Sequence, residues 1–266
     1  RASPWSILAV TFTNKAAAEM RSRILALMPG PGNPWIGTFH SICARLLRRH
    51  AVDLGLNPQF VIYDDTDQKA MLTRVVRDLG IDERRYAPRE MSRFIEQQKQ
   101  KLRKPADVPV RSAAEEVAQK VYATYEQRMR QSGALDFNDL LLQMVFGLQE
   151  NPTLRWHMER RWDHILVDEF QDTNLVQLEL VRTIAAKSRN LCVVGDDDQS
   201  IYKWRGADRR NILGFKRDYP DAKVVKLEQN YRSTAHIVKA ALAVIEPSSE
   251  REPKSLELHY DGGLEE

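Results

Sequence analysis

Apolar runs and helix-period stretches alternate along the chain and fall into three zones. Ser6 to Phe12 reads Ser-Ile-Leu-Ala-Val-Thr-Phe, a run rich in apolar and β-branched residues that predicts a short buried strand. Thr13-Asn14 then predicts a helix start, followed by strong helix formers from Lys15 to Arg21. Pro29-Gly30-Pro31-Gly32-Asn33-Pro34 predicts a loop, and Trp35 to Phe39 a second short strand. From about Ser41 to Trp162 the period becomes helical. Ile42, Leu46 and Leu47 recur at helix spacing, as do Met71, Leu72, Val75, Val76 and Leu79, and later Leu140, Leu141, Met144 and Val145.

The third zone returns to strands. Ile165-Leu166-Val167 runs straight into Asp168-Glu169, and Cys192-Val193-Val194 into Gly195-Asp196. A helix from Leu175 to Lys187 separates them, and Val224 to Leu227 predicts a further strand. Apolar strands alternating with helices imply a parallel α/β sheet, into which the helical zone is inserted. The boundaries read from this are 1–37 and 163–228 for the sheet domain, 38–162 for the insertion, and 229–266 for the start of another domain. The tail from Pro247 to Glu266 is polar and reads as loosely packed.

Composition narrows the class. Of 266 residues, 29% are charged and 42% hydrophobic, which excludes disordered and fibrous chains. No apolar run approaches the roughly 18 residues of a membrane span, and Arg1 to Trp5 lacks the apolar stretch of a signal peptide. Cys43 and Cys192 are too few for a disulfide framework and fit a reducing compartment, so a cytoplasmic location is expected. The six histidines are scattered without metal-ligand spacing. The net charge of +3 is too mild to reveal a nucleic-acid partner, although Arg89 to Lys104 carries six Lys/Arg against two Glu. That run suits duplex contact or a solvated helix face.

In parallel α/β sheets, ligands bind beyond the carboxyl ends of the strands. Asp168 and Glu169 stand there. One carboxylate suits Mg²⁺ beside nucleotide phosphates, and its neighbour suits activation of a water. Taken alone, the pair reads equally well as two solvated acids. Trp204 alone reads as a core tryptophan, yet its neighbours Lys203, Arg205 and Gly206 are not core-like. Phe12 suits either a core position or a stacking wedge, and His40 either a DNA contact or a helix cap.

Longer strings sharpen this. Val167-Asp-Glu-Phe-Gln-Asp-Thr-Asn174, Gly195-Asp-Asp-Asp-Gln-Ser-Ile-Tyr-Lys-Trp-Arg-Gly-Ala207 and Leu227-Glu-Gln-Asn-Tyr-Arg-Ser-Thr234 resemble three successive motifs of UvrD/Rep-type superfamily 1 DNA helicases. Ala9 to Ala17 and Gly37 to Ser41 resemble two earlier single-strand-binding motifs of that family. The five strings stand in the family's order and cover nearly all of the chain.

The resemblance implies a RecA-like P-loop NTPase motor domain with a large α-helical insertion. It implies an ATP-dependent helicase moving 3′ to 5′ on single-stranded DNA, acting at single-strand/duplex junctions in repair or replication, with ATP and Mg²⁺ as cofactors. Asp168 would bind Mg²⁺ and Glu169 would be the catalytic base. Gln199 would sense the γ-phosphate and couple it to the DNA site, Arg232 would be an arginine finger, and Tyr231 would stack on adenine. Thr11, Phe12, Asn14, Lys15, Thr38, Phe39, His40, Tyr202, Trp204 and Arg205 would lie on the DNA path, the aromatics stacking on bases.

One part of the pattern departs from the family. Its members carry a Gly-Lys-Thr phosphate loop near their start, and no Gly-Lys pair occurs in these 266 residues. A fragment of a complete helicase is the expected explanation, and this chain alone is then expected to bind nucleotide poorly and not to unwind DNA. The alternative is a non-enzymatic single-stranded DNA-binding module that has lost ATPase activity. Such a module has no reason to keep Asp168, Glu169, Gln199 and Arg232 together. A third reading is the helicase part of a helicase–nuclease.

Overall fold

The apolar runs become strands of one sheet, the inner ones buried on both faces and β6 at its edge partly exposed. In the computed structural model, which describes residues 2–28, 31–247 and 257–258, β1 (Ile7–Thr11) is buried from Leu8 to Thr11. It leads into α1 (Asn14–Leu27), whose first turn is capped by the Thr13 hydroxyl accepting from Ala16 N–H at 3.1 Å. β2 (Trp35–Thr38) follows and runs directly into α2 (Phe39–Arg49).

The chain then leaves the sheet through β3 (Val61–Tyr63), α3 (Asp65–Asp78), α4 (Pro88–Gln100), α5 (Ala113–Gln131), β4 (Ala134–Asp136), α6 (Phe137–Glu150) and α7 (Pro152–Met158). It returns as β5 (His164–Val167), α8 (Leu175–Ala185) and β6 (Leu191–Val193). Two short helices, α9 (Arg210–Leu213) and α10 (Phe215–Asp218), precede β7 (Gln229–Asn230), α11 (Ala235–Ile245) and β8 (Glu257–Leu258).

The main sheet is wholly parallel, in the order β2-β1-β5-β6. The carboxyl ends of all four strands therefore lie along one ledge. The inserted zone also holds a small parallel pair, β3 with β4, that the helical period did not reveal. Conversely, Val224 to Leu227 forms no strand. Val225 and Leu227 are 67% and 83% exposed, and no described strand pairs with them. Most of the tail from Pro247 onward lies outside the described residues.

Two hydrophobic cores organise the molecule. The first gathers Leu8, Val10 and Ile165 of the sheet with Phe39, Leu46 and Leu47 of α2, Met144 of α6 and Val181 of α8. The second gathers Leu72 and Val75 of α3, Ile95 of α4, and Val121 and Tyr125 of α5. Residues 38–162 thus contribute to both. Burying each leucine-sized side chain contributes about 1.5–3 kcal/mol.

The cores meet at Lys99, which is 1% exposed. Its Nζ donates to Asp136 Oδ2 at 2.7 Å and to Asp139 Oδ1 at 2.5 Å, and lies 2.8 Å from Glu126 Oε1. Tyr125 OH adds a 3.0 Å hydrogen bond to Asp136. Burial alone would lower the Lys99 pKa, but the Asp136, Asp139 and Glu126 charges outweigh it and hold the ammonium well above its ordinary value. Burial, and then the charge of Asp136, pushes Asp139 well up. Burial also works against Asp136, yet Lys99 and its hydrogen bonds bring that carboxyl below the usual range. Asp136 and Asp139 form the reciprocal cap of α6, so a single lysine of α4 clamps the start of a helix of the first core. Lys99 of the basic run is therefore not available to DNA.

Candidate functional site

The ledge begins where β1 and β5 end side by side. Val10 pairs with Val167, and Asp168 N–H donates to Val10 O at 2.9 Å. The Thr11 hydroxyl then donates to Asp168 Oδ2 at 3.2 Å. Asp168 is half-buried, whereas Glu169 is exposed. Glu169 has φ 50° and ψ 43°, the left-handed region, which is strained for a side-chain-bearing residue. One turn of tight helix, Phe170–Asp172, follows.

Gln171, only 1% exposed, reaches back under this turn. Its Nε2 donates to Glu169 Oε2 at 2.8 Å, and its Oε1 accepts from Asp196 N–H at 3.0 Å. Asp196 is the first acid after β6. Its side chain accepts from Asp198 N–H at 3.0 Å and from Gln199 Nε2 at 2.7 Å. Asp172 lies on the same turn, with a buried Oδ1 that finds no hydrogen-bond partner among the described residues. Burial first, and the Glu169 charge second, push its pKa up to about 6.

From Gln199 the loop carries the aromatics. Tyr202 and Trp204 are 39% and 73% exposed, with ring centroids 6.4 Å apart and planes tilted by 51°. The turn closes at Gly206, φ 81°, where an added Cβ would sit 2.6 Å from Gln100 Oε1 of α4. That φ favours glycine, and the close approach sets the aromatic turn against the helix that Lys99 anchors. A second tie comes from behind: Asp208 N–H and Asn211 Nδ2 donate to Thr173 O at 3.0 and 2.8 Å.

On the β1–β2 side, Asn14 and Lys15 are exposed and Phe12 is half-buried, edge-on to Phe39 at 5.7 Å. His40 is half-buried and edge-on to the exposed Phe137 at 6.1 Å, and burial lowers its pKa. Thr11, Thr38 and Phe39 were expected on the DNA path, but their side chains are 1%, 7% and 3% exposed. Thr11 is turned to Asp168, Thr38 caps α2 through Ser41 N–H at 3.2 Å, and Phe39 fills the first core. They shape the ledge from beneath, and no base can reach the Phe39 ring in this conformation. The side chain of Arg205 lies outside the described part of the structure.

The structure thus brings Asp168, Glu169, Gln199, Tyr202 and Trp204 onto one ledge with Phe12, Asn14, Lys15 and His40. Tyr231 and Arg232 come later in the chain, directly after β7. Tyr231 is 67% exposed, and Asn230 Oδ1 accepts from Arg232 N–H at 3.0 Å in a local turn. Sequence reading missed Gln171 and Thr173. Both sit inside the acidic string, but only burial and partners give them a role.

The donor set on the ledge consists of carboxylate oxygens, an amide and a hydroxyl, the hard ligands that suit Mg²⁺. No helix among the described residues is long and apolar enough to cross a membrane.

Comparison with known proteins bears on this arrangement. Residues 1–220 match the UvrD/REP helicase N-terminal domain. The chain is 42% identical over 265 residues to the ATP-dependent DNA helicase PcrA of Bacillus subtilis, covering 98% of this chain and 36% of that protein. It is 44% identical over 257 residues to PcrA of Staphylococcus aureus, covering 96% of this chain and 35% of the relative. The match to PcrA of Staphylococcus epidermidis is 44% over 264 residues, again 36% of the relative. The chain therefore spans about a third of the length of these relatives. The sheet, the ledge and these matches together place the chain in the UvrD/Rep helicase family, with its RecA-like P-loop fold.

Proposed function

We propose that the whole protein is an ATP-dependent DNA helicase that moves 3′ to 5′ along single-stranded DNA and opens duplex at single-strand junctions during repair or replication in the cytoplasm. The observation that carries this reading is the continuous ledge. Of the two acids suited to a nucleotide, Asp168 and Glu169, the second connects through the buried Gln171 amide to the loop that exposes Tyr202 and Trp204.

Asp168 is the residue to hold Mg²⁺, with Thr11 fixing one of its carboxylate oxygens. When bound, the ion supplies charge neutralisation to phosphate oxygens. Glu169 takes a proton from the attacking water on a carboxylate oxygen, and its exposure leaves room for that water. Gln199 Nε2 is the donor toward the terminal phosphate and must first leave Asp196 Oδ2. Arg232 and Tyr231 belong to the segment 229–266, proposed as the start of a second motor domain. They reach the nucleotide only when the two domains close, Tyr231 stacking on adenine and Arg232 neutralising transferring charge. Trp204, Tyr202 and Phe12 stack on bases without regard to sequence, while Asn14, Lys15, His40 and Arg205 face phosphates.

The phosphate loop is proposed to come from a segment of the whole protein outside these 266 residues. β6 is an edge strand of the sheet, and Leu166, Cys192 and Val194 beside it are exposed. That is an open apolar face where further strand and helix can pack.

The test is DNA-stimulated ATP hydrolysis and strand separation by the full-length protein, beside the 266-residue chain alone. The full-length protein is expected to do both and the chain neither. Single-strand binding by the full-length protein with no ATP turnover would sink this reading and leave a DNA-binding module.

A further inference from the structure

We infer that Gln171 is a positioning residue that locks the base Glu169 to the DNA-stacking loop, so that occupancy of one site is felt at the other. The inference rests on the reading of Glu169 as the base. Gln171 uses both ends of its amide: Nε2 holds Glu169 Oε2 at 2.8 Å, and Oε1 holds the Asp196 N–H at 3.0 Å. Its backbone oxygen accepts from the Ser200 hydroxyl at 3.3 Å. A buried amide offers a donor end and an acceptor end without adding charge beside a carboxylate, which an acid or a lysine cannot do.

The surroundings are built around this side chain. A Cβ added at Gly195 would lie 2.4 Å from Gln171 Oε1, 2.9 Å from Ile212 Cδ1 and 3.2 Å from Phe170 N. The loop therefore approaches the amide as closely as a bare backbone permits. Glu169 is held in the left-handed region, so its carboxylate direction depends on what grips it, and Gln171 is that grip. From Asp196 the bonds continue to Asp198 and Gln199, five residues before the exposed Trp204, whose ring is reached through the Tyr202 turn. A shift of the stacking loop would pull Asp196, turn the amide and move the Glu169 carboxylate.

The experiment uses the full-length protein, with ATP turnover measured with and without a single-stranded oligonucleotide. Gln171→Met keeps the length and loses both hydrogen bonds. Its kcat with DNA is expected to fall about 100-fold, the size of effect that follows from misplacing a catalytic group. The KM for ATP and the nucleotide-free affinity for the oligonucleotide are expected to stay within about twofold, because neither contact touches ligand. The ratio of DNA-stimulated to basal turnover is expected to approach one. Gln171→Asn, which keeps the amide on a shorter arm, is expected to recover part of that ratio. Gly195→Ala leaves Gln171 in place and crowds it, and it is expected to lower the ratio too; it answers the question if Gln171→Met does not fold.

Wild-type kcat and stimulation in a folded Gln171→Met protein would overturn the inference. So would equal falls in basal and stimulated turnover together with weakened DNA binding, the pattern of a packing defect. Wild-type turnover in Glu169→Gln marks a different failure: the base assignment goes, and this inference goes with it.

Discussion

The seam at Lys99 and the ledge at Glu169 both concentrate charge, and they treat it in opposite ways. At the seam a single ammonium is sealed among Asp136, Asp139, Glu126 and Tyr125, each within 3.0 Å of a partner in the network. At the ledge, Glu169 is exposed, its backbone is strained, and its buried grip is one neutral amide. Removing one member of a sealed network leaves other charges buried and uncompensated. Removing an exposed acid frees a strained turn and leaves packing intact. Stability and chemistry are thus assigned to different charge clusters, joined by α4, which carries both Lys99 and Gln100 under the aromatic turn.

The contrast is broken most directly at Glu169. Glu169→Gln is expected to lower DNA-stimulated ATP turnover of the full-length protein by about 10²–10⁴-fold, in the range for a general base. Its unfolding midpoint in urea is expected to match the wild type. A large loss of stability would show that the ledge acid holds the fold, and the contrast would disappear.

Lys99→Met is the reverse case. It is expected to destabilise by about 3–5 kcal/mol in chemical denaturation, because three carboxyls lose their common cation. Stability within about 0.5 kcal/mol of wild type would mean that the seam tolerates an uncompensated cluster, against the expectation for surface-like positions only.

Trp204→Ala comes next. Single-strand affinity, followed by fluorescence anisotropy at fixed salt, is expected to weaken by about 1–3 kcal/mol, without a change in thermal midpoint. With the ring 73% exposed, a drop in midpoint would place Trp204 in a core that the structure does not show.

The smallest effect concerns pH. The Asp172 pKa is raised from 3.8 to about 6 in the folded state, so its stabilising contribution is complete below 3.8 and is lost as pH rises through about 6. Asp172→Asn is expected to flatten stability across that window and to be more stable at pH 7 by about 1 kcal/mol, after allowance for solvent screening. An unchanged pH profile would show that another group governs the window.

Much of the site was legible because motif chemistry is local. A strand that ends in Asp168-Glu169, a loop that begins at Gly195-Asp196 and an aromatic pair at Tyr202 and Trp204 are neighbours in sequence, and the parallel sheet only had to align them. The strand expected at Val224 to Leu227 is not among the described strands, because a hydrophobic pattern alone does not fix strand pairing. Phe39 and Thr38 were read as DNA contacts from their motif, yet the helix that starts at Phe39 turns that ring into the core.

The alternation of apolar runs and helical periods by itself determined an α/β sheet domain with a helical insertion, and the ordered strings determined the family. Tertiary structure alone decided that Lys99, in a run that reads as a basic surface, is the buried clamp between two cores. It also decided that Gln171, an unremarked amide between acids, bridges strands β5 and β6. Both outcomes depend on groups 25 to 40 residues away. Side-chain burial and hydrogen-bond partners at that separation arise from packing, and no local pattern of residues encodes them.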